Sequence, residues 1–229
     1  MRWGIIAALE AELELIRAAM ETERTLEAYG VRFYVGKIAG REVAAVCSSV
    51  GTVNAAACAS VLARELGAGA LINIGVAGST CEELDILDVV LSSEVVFHDT
   101  DTAVLKKYYP YRESFAADTG LIGLAEKSIA AIKGREFSYK VGRVATGDLF
   151  VDSLEVKNDI VARVAPLCVE MEGAAIGQIA HMSGIPFLVI RSLSDKSDGS
   201  AALSFESFLG KAAANSAAIV LGMIERRDR

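Results

Sequence analysis

The sequence predicts an α/β fold with a mixed or largely parallel β-sheet. Apolar, strand-like runs alternate with segments of helical periodicity along all 229 residues. Several of these runs show little polar alternation, which is typical of strands that are covered on both faces. The chain contains no linker rich in proline, serine or glycine, so residues 1–229 are expected to form a single domain.

The predicted elements follow one another in a regular order. The strands are the apolar runs at residues 3–9, 31–38, 43–50, 70–74, 89–97, 137–145 and 187–192. Leu9, Leu13, Ile16 and Met20 recur at spacings of four, three and four residues, which indicates the first helix. The second helix is rich in alanine and stops at Gly67, and the last has one broad apolar face. These and the remaining helices are predicted at residues 53–66, 121–132, 171–182 and 203–223.

The composition disfavours several classes of function. With 23 basic and 30 acidic residues the net charge is −7, whereas a nucleic-acid partner requires a basic face. No apolar stretch approaches the ~18 residues of a membrane span, and the first residues lack a signal pattern, so a cytoplasmic protein is expected. The four cysteines form no Cys-x-x-Cys pair and only two histidines are present. A metal site is therefore not expected, and the cysteines should be reduced.

In α/β folds ligands bind where strands end and helices begin, and six such junctions carry polar residues. At the first, the helical phase places Glu12 nearer the apolar face than Glu14, although acidic residues also favour helix N-termini through the dipole. At the second, Gly51 could admit a ligand to the backbone or simply turn the chain. At the third, Gly75 and Gly78 lack the full Gly-x-Gly-x-x-Gly fingerprint, so a nicotinamide cofactor has little support.

The other three junctions place acids or an aromatic residue at the ends of apolar runs. Phe150 is expected either in the core or stacked on a planar base. Glu170 and Glu172 lie in an otherwise apolar stretch, where burial without partners is costly, so at least one is expected to be functional. Arg191 and Asp195 follow a buried strand, either as an ion pair that ends it or as a polar cluster at a ligand site.

Six segments, taken in order, resemble the nucleoside phosphorylase/hydrolase superfamily. They are residues 4–12, 75–78, 98–101, 146–150, 169–172 and 191–195. Within this superfamily the chain most resembles the 5′-methylthioadenosine/S-adenosylhomocysteine nucleosidases. The resemblance covers nearly the whole chain and implies a three-layer sandwich in which helices flank a mixed central β-sheet. It also implies a homodimer with a small-molecule nucleoside substrate, and it implies no metal or organic cofactor.

The reaction implied by this resemblance is hydrolysis of the N-glycosidic bond of 5′-substituted adenosines, with release of adenine. Asp195 then corresponds to the general acid that protonates adenine N7, and Glu12 to the base that activates water. Arg191 would help to position that water, and Ser194 would orient Asp195. Because Asp195 must be protonated near neutral pH, its pKa is expected to be raised by desolvation or by nearby carboxylate charge.

The resemblance also implies a set of substrate-binding residues. Glu172, with the backbone of Met171 beside it, corresponds to the ligand of the ribose hydroxyls. Phe150 corresponds to the ring that stacks on the base, and Val151 to the residue whose backbone reads the adenine edge. Further residues implied in binding are Val50, Phe205, Ala77, Gly78 and Leu9, the last of them in the pocket of a neighbouring subunit.

Water is the expected acceptor of the glycosyl group. A phosphorylase requires a cationic cradle for phosphate, whereas the first loop carries three glutamates between residues 10 and 14 and no arginine before Arg17. A phosphate-dependent purine nucleoside phosphorylase is the alternative with the same fold. A nucleoside-binding protein with little turnover is the alternative from a different functional class.

The sequence departs from the family pattern at two places. Val76 stands where the family carries a small hydroxyl residue. The loop at residues 102–113 lacks the family's Gly-Gln-x-Pro segment and contains Tyr108, Tyr109 and Tyr111 instead. These tyrosines are expected either to form an aromatic wall at the 5′ group of the substrate or to lie in a patch at the surface or a dimer interface.

Overall fold

The structure, a computed structural model, describes residues 1–199 and 201–226. Within these residues strands and helices alternate along most of the chain, as the sequence predicts. The elements are β1 (Arg2–Ala7), α1 (Glu10–Ala18), β2 (Glu21–Ala28), β3 (Val31–Ile38), β4 (Arg41–Cys47), α2 (Thr52–Arg64), β5 (Ala68–Ser79), β6 (Val89–Phe97), α3 (Thr102–Lys107), β7 (Ser114–Ala116), α4 (Thr119–Ala131), β8 (Tyr139–Thr146), α5 (Leu154–Val164), β9 (Cys168–Glu170), α6 (Gly173–Ser183), β10 (Phe187–Asp195) and α7 (Ala201–Arg226).

All of these strands belong to one mixed sheet. Its order is β10-β6-β8-β9-β5-β1-β4-β3-β2, with β7 paired to β6. The pairs β1–β4, β1–β5, β5–β10 and β6–β8 are parallel, and β2–β3, β3–β4 and β6–β10 are antiparallel. The expected α/β fold with a mixed central sheet flanked by helices is confirmed.

Part of the sheet closes on itself. Besides its bond to β6, β10 pairs with β5 over most of its length, and β8 and β9 complete the path back to β5. Five strands therefore form a closed ring, which brings the ends of β5, β8, β9 and β10 close together. The alternation of elements does not predict this closure, because it depends on pairings between strands far apart in the sequence.

The core contains the buried faces of β1, β4, β5, β6 and β10, with α1, α2, α4, α6 and α7 packed against them. Among the described residues one helix, Ser204–Arg226, is apolar enough and long enough to cross a membrane, with a mean hydropathy of 1.4. The core helix of a soluble protein passes the same test, and α7 packs on β10, β5 and α4. We therefore assign α7 to the core.

The strands at 31–38 and 89–97 have the predicted bounds, whereas other elements differ from prediction. The strand predicted at 43–50 ends at Cys47, and Ser49 then adopts a left-handed φ of 68°. The strand β2 is absent from the prediction because its charged sequence lies mostly exposed at the sheet edge. The helix predicted at 171–182 begins two residues later, since residue 172 caps α6.

Candidate active site

One cavity of about 230 Å³ opens at the ends of β1, β5, β9 and β10. Every residue that the sequence assigns to catalysis or to substrate binding lines this cavity. These residues are Leu9, Glu12, Val50, Ala77, Gly78, Phe150, Val151, Met171, Glu172, Arg191, Ser194, Asp195 and Phe205. The structure adds Ala8, Val76, Leu149, Val169, Glu170 and Ser197.

Backbone amides hold Glu12 at the first turn of α1. Its Oε2 accepts hydrogen bonds from Ala8 N and Leu9 N, and its Oε1 accepts one from Val76 N, each at 2.9 Å. Burial raises the pKa of Glu12, while the nearby Arg191 and the three amides act in the opposite direction. Glu14 is exposed, as the helical phase predicts.

Arg191 is the buried cation of the site. Its Nη2 donates to Glu170 Oε2 and, at 3.0 Å, to Glu172 Oε2. The same nitrogen donates to Asn73 Oδ1 at 2.5 Å, and Nη1 donates to Val76 O at 3.3 Å. Burial opposes the charge, yet the surrounding glutamates raise the pKa of Arg191 above its ordinary value. The arginine therefore stays charged, in an ion-pair cluster that forms part of the cavity wall.

The approach of Arg191 to Glu12 requires a glycine on β5. A Cβ at Gly75 would lie 2.3 Å from Arg191 Nη1 and 2.7 Å from Glu12 Oε1. Neither atom belongs to a side chain that can easily move, because both residues are buried and hydrogen-bonded. Gly75 thus allows Glu12 and Arg191 to approach each other over bare backbone.

Glu170 and Glu172 are both buried, and both bond to Arg191. Glu172 Oε1 accepts a hydrogen bond from Gly51 N at 2.9 Å, which ties the second glycine junction to the site. Burial raises the pKa of Glu172 to about 7, with the charge of Glu170 adding to the effect and Arg191 opposing it.

Glu170 has a positioning role that the sequence did not assign to it. Besides Arg191, it accepts hydrogen bonds from Thr146 Oγ1, from Glu172 N at 3.1 Å and from Gly173 N at 2.8 Å. It thereby joins the ends of β8 and β9 to the first turn of α6. The sequence showed a pair of acids in an apolar stretch. This pattern does not tell which acid faces the substrate and which one holds the strand ends and α6 together.

Asn73 is a second residue that the sequence analysis missed. It lies inside β5, fully buried, and its Nδ2 donates to Ile6 O at 3.1 Å while its Oδ1 accepts from Arg191. The signal for it was present, since a single amide interrupts the apolar run at residues 70–74. A buried amide in a central strand indicates a polar partner nearby.

Asp195 lies at the end of β10 and bonds to its own neighbours. Ser194 Oγ donates to Asp195 Oδ2 at 2.8 Å, which is the orienting contact that the resemblance implies. Ser197 N donates to Asp195 Oδ1 at 2.8 Å. Burial raises the pKa of Asp195, and the charges of Asp198 and Asp152 add to the effect. The raised pKa of Asp195, and its two causes, burial and nearby carboxylate charge, agree with the prediction from sequence.

The mouth of the cavity is apolar. The rings of Phe150 and Phe205 meet edge to face with their centroids 6.2 Å apart. Phe150 is 48% exposed, so the alternative that it belongs to the core is wrong. Leu9 lines the cavity of its own chain, because α1 begins directly after β1 and its first turn closes over the sheet end.

The tyrosines of the 102–113 segment lie outside the cavity lining. Tyr108, Tyr109 and Tyr111 are between 59% and 66% exposed, and Tyr109 stacks edge to face on Tyr111 with a centroid distance of 6.0 Å. Within one chain they do not form the aromatic wall that was one alternative. The surface location is the alternative that the structure supports.

Comparisons with known proteins identify the family of this chain. The family model described as the phosphorylase superfamily matches residues 2–225. The chain belongs to this superfamily. A 5′-methylthioadenosine/S-adenosylhomocysteine nucleosidase of Aeromonas salmonicida is 36% identical, with 98% of this chain and 99% of the relative aligned. A nucleosidase of the same name from Staphylococcus haemolyticus is 33% identical over 97% of this chain and 98% of the relative.

Solved structures of superfamily members match the whole fold. The 5′-methylthioadenosine/S-adenosylhomocysteine nucleosidase of Neisseria meningitidis, in complex with methylthio-immucillin-A, has a TM-score of 0.92 and 34% identity, with 98% of each chain covered. The MTA/SAH nucleosidase of Colwellia psychrerythraea, in complex with adenine, has a TM-score of 0.92 and 33% identity, covering 98% of this chain and 94% of that one.

Val76 bonds to Glu12 and Arg191 through its backbone and not through its side chain. Val76 N donates to Glu12 and Val76 O accepts from Arg191. The side chain itself is 8% exposed and contributes apolar surface to the cavity. The valine side chain therefore takes no part in the hydrogen bonds to Glu12 and Arg191.

Proposed function

We propose that the protein hydrolyses the N-glycosidic bond of 5′-substituted adenosines and releases adenine. The class comprises 5′-methylthioadenosine and S-adenosylhomocysteine, and we include 5′-deoxyadenosine as a further candidate. The relatives and neighbours that bear the nucleosidase name support the reaction. The observation that carries the proposal is the placement of two buried acids, Asp195 and Glu12, in one cavity with an arginine next to the second.

At the purine, Asp195 acts as the general acid. As the C1′–N9 bond breaks, its electron pair leaves with the base, and the proton of Asp195 passes to N7. The raised pKa of Asp195 means that it holds this proton more readily than an exposed aspartate does. Ser194 holds the carboxyl group in place through its bond to Oδ2.

At the sugar, water is the nucleophile. Its oxygen bonds to C1′ as positive charge develops there, and Glu12 takes its proton. Burial raises the pKa of Glu12 and so makes it a stronger proton acceptor than an exposed carboxylate. Arg191, next to Glu12, helps to position this water. Each of the two proton transfers contributes about 10²–10⁴-fold to the rate.

The substrate is held between the two acids. Glu172, Met171, Phe150 and Val151 all line the cavity. In the proposed complex the carboxylate of Glu172 accepts hydrogen bonds from the ribose hydroxyls beside the backbone of Met171. The ring of Phe150 stacks on the base, and the backbone of Val151 reads the base edge. Further contacts come from the cavity residues Leu9, Val50, Ala77, Gly78 and Phe205.

The charge of the cavity favours water over phosphate. Its carboxylates are Glu12, Glu170, Glu172 and Asp195, and the one cation among the described lining residues is Arg191. Arg191 is already bonded to two of the carboxylates. A phosphate dianion would have to enter beside these acids without a free arginine to receive it.

The experiment is a measurement of adenine release from 5′-methylthioadenosine, S-adenosylhomocysteine, 5′-deoxyadenosine and adenosine, each with and without phosphate. We expect release from the 5′-substituted substrates at a rate that phosphate does not increase. A phosphate-dependent rate with a ribose-1-phosphate product would establish the phosphorylase alternative. Binding of these nucleosides without turnover would establish the binding-protein alternative.

The protein is further proposed to act as a single-domain, cytoplasmic homodimer in which Leu9 also reaches the partner's cavity. The free state of all four cysteines is consistent with a reducing compartment. Sedimentation equilibrium together with one cooperative unfolding transition tests the assembly and the domain proposal. A fully active monomer would contradict the dimer.

A further inference from the structure

Asp148 lies in the segment that follows β8, two residues before Phe150, and the proposed reaction does not use it. Its side chain is exposed and does not line the cavity. Both of its carboxylate oxygens nevertheless accept hydrogen bonds from one residue of a distant element. Oδ1 accepts from Thr52 N at 2.7 Å, and Oδ2 accepts from Thr52 Oγ1 at 2.6 Å. These two short hydrogen bonds fix the direction of a carboxylate that water could otherwise solvate.

Asp148 supplies the cap that the start of α2 lacks. The first amides of a helix have no partner within the helix, and the N-cap residue Gly51 carries no side-chain acceptor for them. The Asp148 carboxylate accepts from the first of these amides, and its negative charge lies at the positive end of the helix dipole. It also packs against Gly51, because a Cβ there would lie 3.1 Å from Asp148 Oδ1.

The preceding amide at the start of α2 belongs to the site. Gly51 N donates to Glu172 Oε1 at 2.9 Å, and Glu172 is the residue proposed to bind the ribose hydroxyls. Two successive amides are thus held by two carboxylates, one outside the cavity and one inside it. Because glycine rotates more freely than any other residue, the direction of Gly51 N depends on what holds the chain on either side. Asp148 holds the residue that follows.

The segment that carries Asp148 is itself held from the other side. Asp148 N donates to Asp99 Oδ2 at 2.7 Å, and Gly147 N donates to Glu170 O at 3.1 Å. These bonds come from the backbone, so the segment and the base-binding residues on it stay in place when the Asp148 side chain is removed. Only the carboxylate reaches across to Thr52. Its removal should therefore loosen the start of α2 and leave the contacts to the base unchanged.

We infer that Asp148 is a positioning residue for the ribose. Through the start of α2 it directs Gly51 N at Glu172, and so fixes the carboxylate that receives the ribose hydroxyls. The other oxygen of Glu172 accepts from Arg191 at 3.0 Å, so the two hydrogen bonds together set the orientation of the carboxylate. The inference rests on the proposed function, and it assigns Asp148 to the recognition of the sugar. Asp148 then contributes to the binding of nucleosides and not to the binding of free adenine.

The test compares wild-type protein with Asp148→Ala, using the KM for 5′-methylthioadenosine and the inhibition constant of the product adenine. We expect KM to rise about 5- to 10-fold, the value of one hydrogen bond, and the inhibition constant of adenine to change by less than about 2-fold. Partial unfolding of the variant would lower the apparent kcat alone, because neither constant depends on the amount of active protein. An unchanged KM, or an equal rise in both constants, would overturn the inference.

A conservative variant gives the second readout. In Asp148→Asn, Oδ1 can still accept from Thr52 N, and the side-chain amide can donate to Thr52 Oγ1 because a hydroxyl also accepts. Asparagine caps helices about as well as aspartate does. We therefore expect Asp148→Asn to keep a KM near that of wild type. A KM raised as much as in Asp148→Ala would overturn the inference.

The matched control is Asp118→Ala. Asp118 is an exposed aspartate that caps α4, where its Oδ1 accepts from Leu121 N at 2.9 Å, and it does not line the cavity. Both alanine variants remove a helix cap, so the melting temperature of each should fall. Only Asp148→Ala should raise the KM for the nucleoside. An equal rise in Asp118→Ala would overturn the inference, since the loss of a cap would then account for the effect.

The wild-type rates distinguish failure of the inference from failure of the proposed function. If wild-type protein releases adenine from 5′-methylthioadenosine and Asp148→Ala has the same KM, the inference alone fails. If wild-type protein releases adenine from none of the four nucleosides, the proposed function fails and the inference fails with it.

Discussion

Replacing Glu172 by glutamine should remove a loss of stability that wild-type protein undergoes as the pH rises. The carboxyl group of Glu172 is buried beside Glu170, and burial raises its pKa to about 7 from an ordinary value of 4.5. Between these two values the folded state binds more protons than the unfolded chain. The free energy of unfolding of wild-type protein therefore falls as the pH rises through this window.

The magnitude follows from the two pKa values. The gap between them corresponds to about 3 kcal/mol at roughly 1.4 kcal/mol per pH unit, and this cost is fully present above pH 7. The attraction of Arg191 is already contained in the raised pKa, so it is not counted again. A glutamine is neutral at every pH and can still accept the hydrogen bond from Gly51 N, but its NH2 group then faces Arg191 Nη2, which donates to Glu172 Oε2 at 3.0 Å in wild type. That cost is the same at every pH, so the stability of Glu172→Gln relative to wild type should rise by about 3 kcal/mol between pH 4 and pH 9.

The assay is urea unfolding of both proteins at pH 4, 6, 7.5 and 9, with thermal unfolding alongside. Between pH 4 and pH 9 the difference in Tm between Glu172→Gln and wild type should shift by about 6–12 °C in favour of the variant. The control is Glu14→Gln, which removes one exposed carboxylate from α1 and should show no such pH dependence. A difference in stability that is the same at every pH, or one that moves in favour of wild type as the pH rises, would refute the argument.

Three further predictions concern the site. Asp195→Asn should lower the rate of adenine release by about 10²–10⁴-fold without lowering Tm, because it removes the proton donor but not the packing; near wild-type activity would contradict the assignment. Gly75→Ala should abolish most activity by forcing Arg191 and Glu12 apart, whereas Gly123→Ala, in open space on α4, should have no effect on the rate; equal activities would contradict this. Phe150→Leu should weaken adenine binding about 2- to 10-fold, as measured by calorimetry, because it removes the stacking ring; unchanged affinity would place the base elsewhere.

Short-range sequence patterns, namely helical periodicity and apolar runs, predicted much of the fold and part of the candidate site. The helical periodicity of α1 correctly predicted that Glu12 is buried and Glu14 exposed. This prediction succeeds because the periodicity depends only on a few neighbouring residues. The apolar runs at 31–38 and 89–97 mark their strands fully, since both are flanked by turns and lie against the core. The exposed edge strand β2 has no such pattern, because a strand that buries little surface needs few apolar residues.

By itself the sequence predicted the α/β class, the junctions that carry polar residues and, through its resemblance to a family, thirteen of the residues that line the cavity. Only the tertiary structure decided how those residues divide their roles. Glu170 bonds to Arg191 and to the start of α6, and Asn73 accepts a hydrogen bond from the same guanidinium. The physical reason is the closure of β5, β10, β6, β8 and β9 into a ring. Closure brings together side chains that are far apart along the chain, and their burial, their pKa values and their hydrogen-bond partners depend on that proximity.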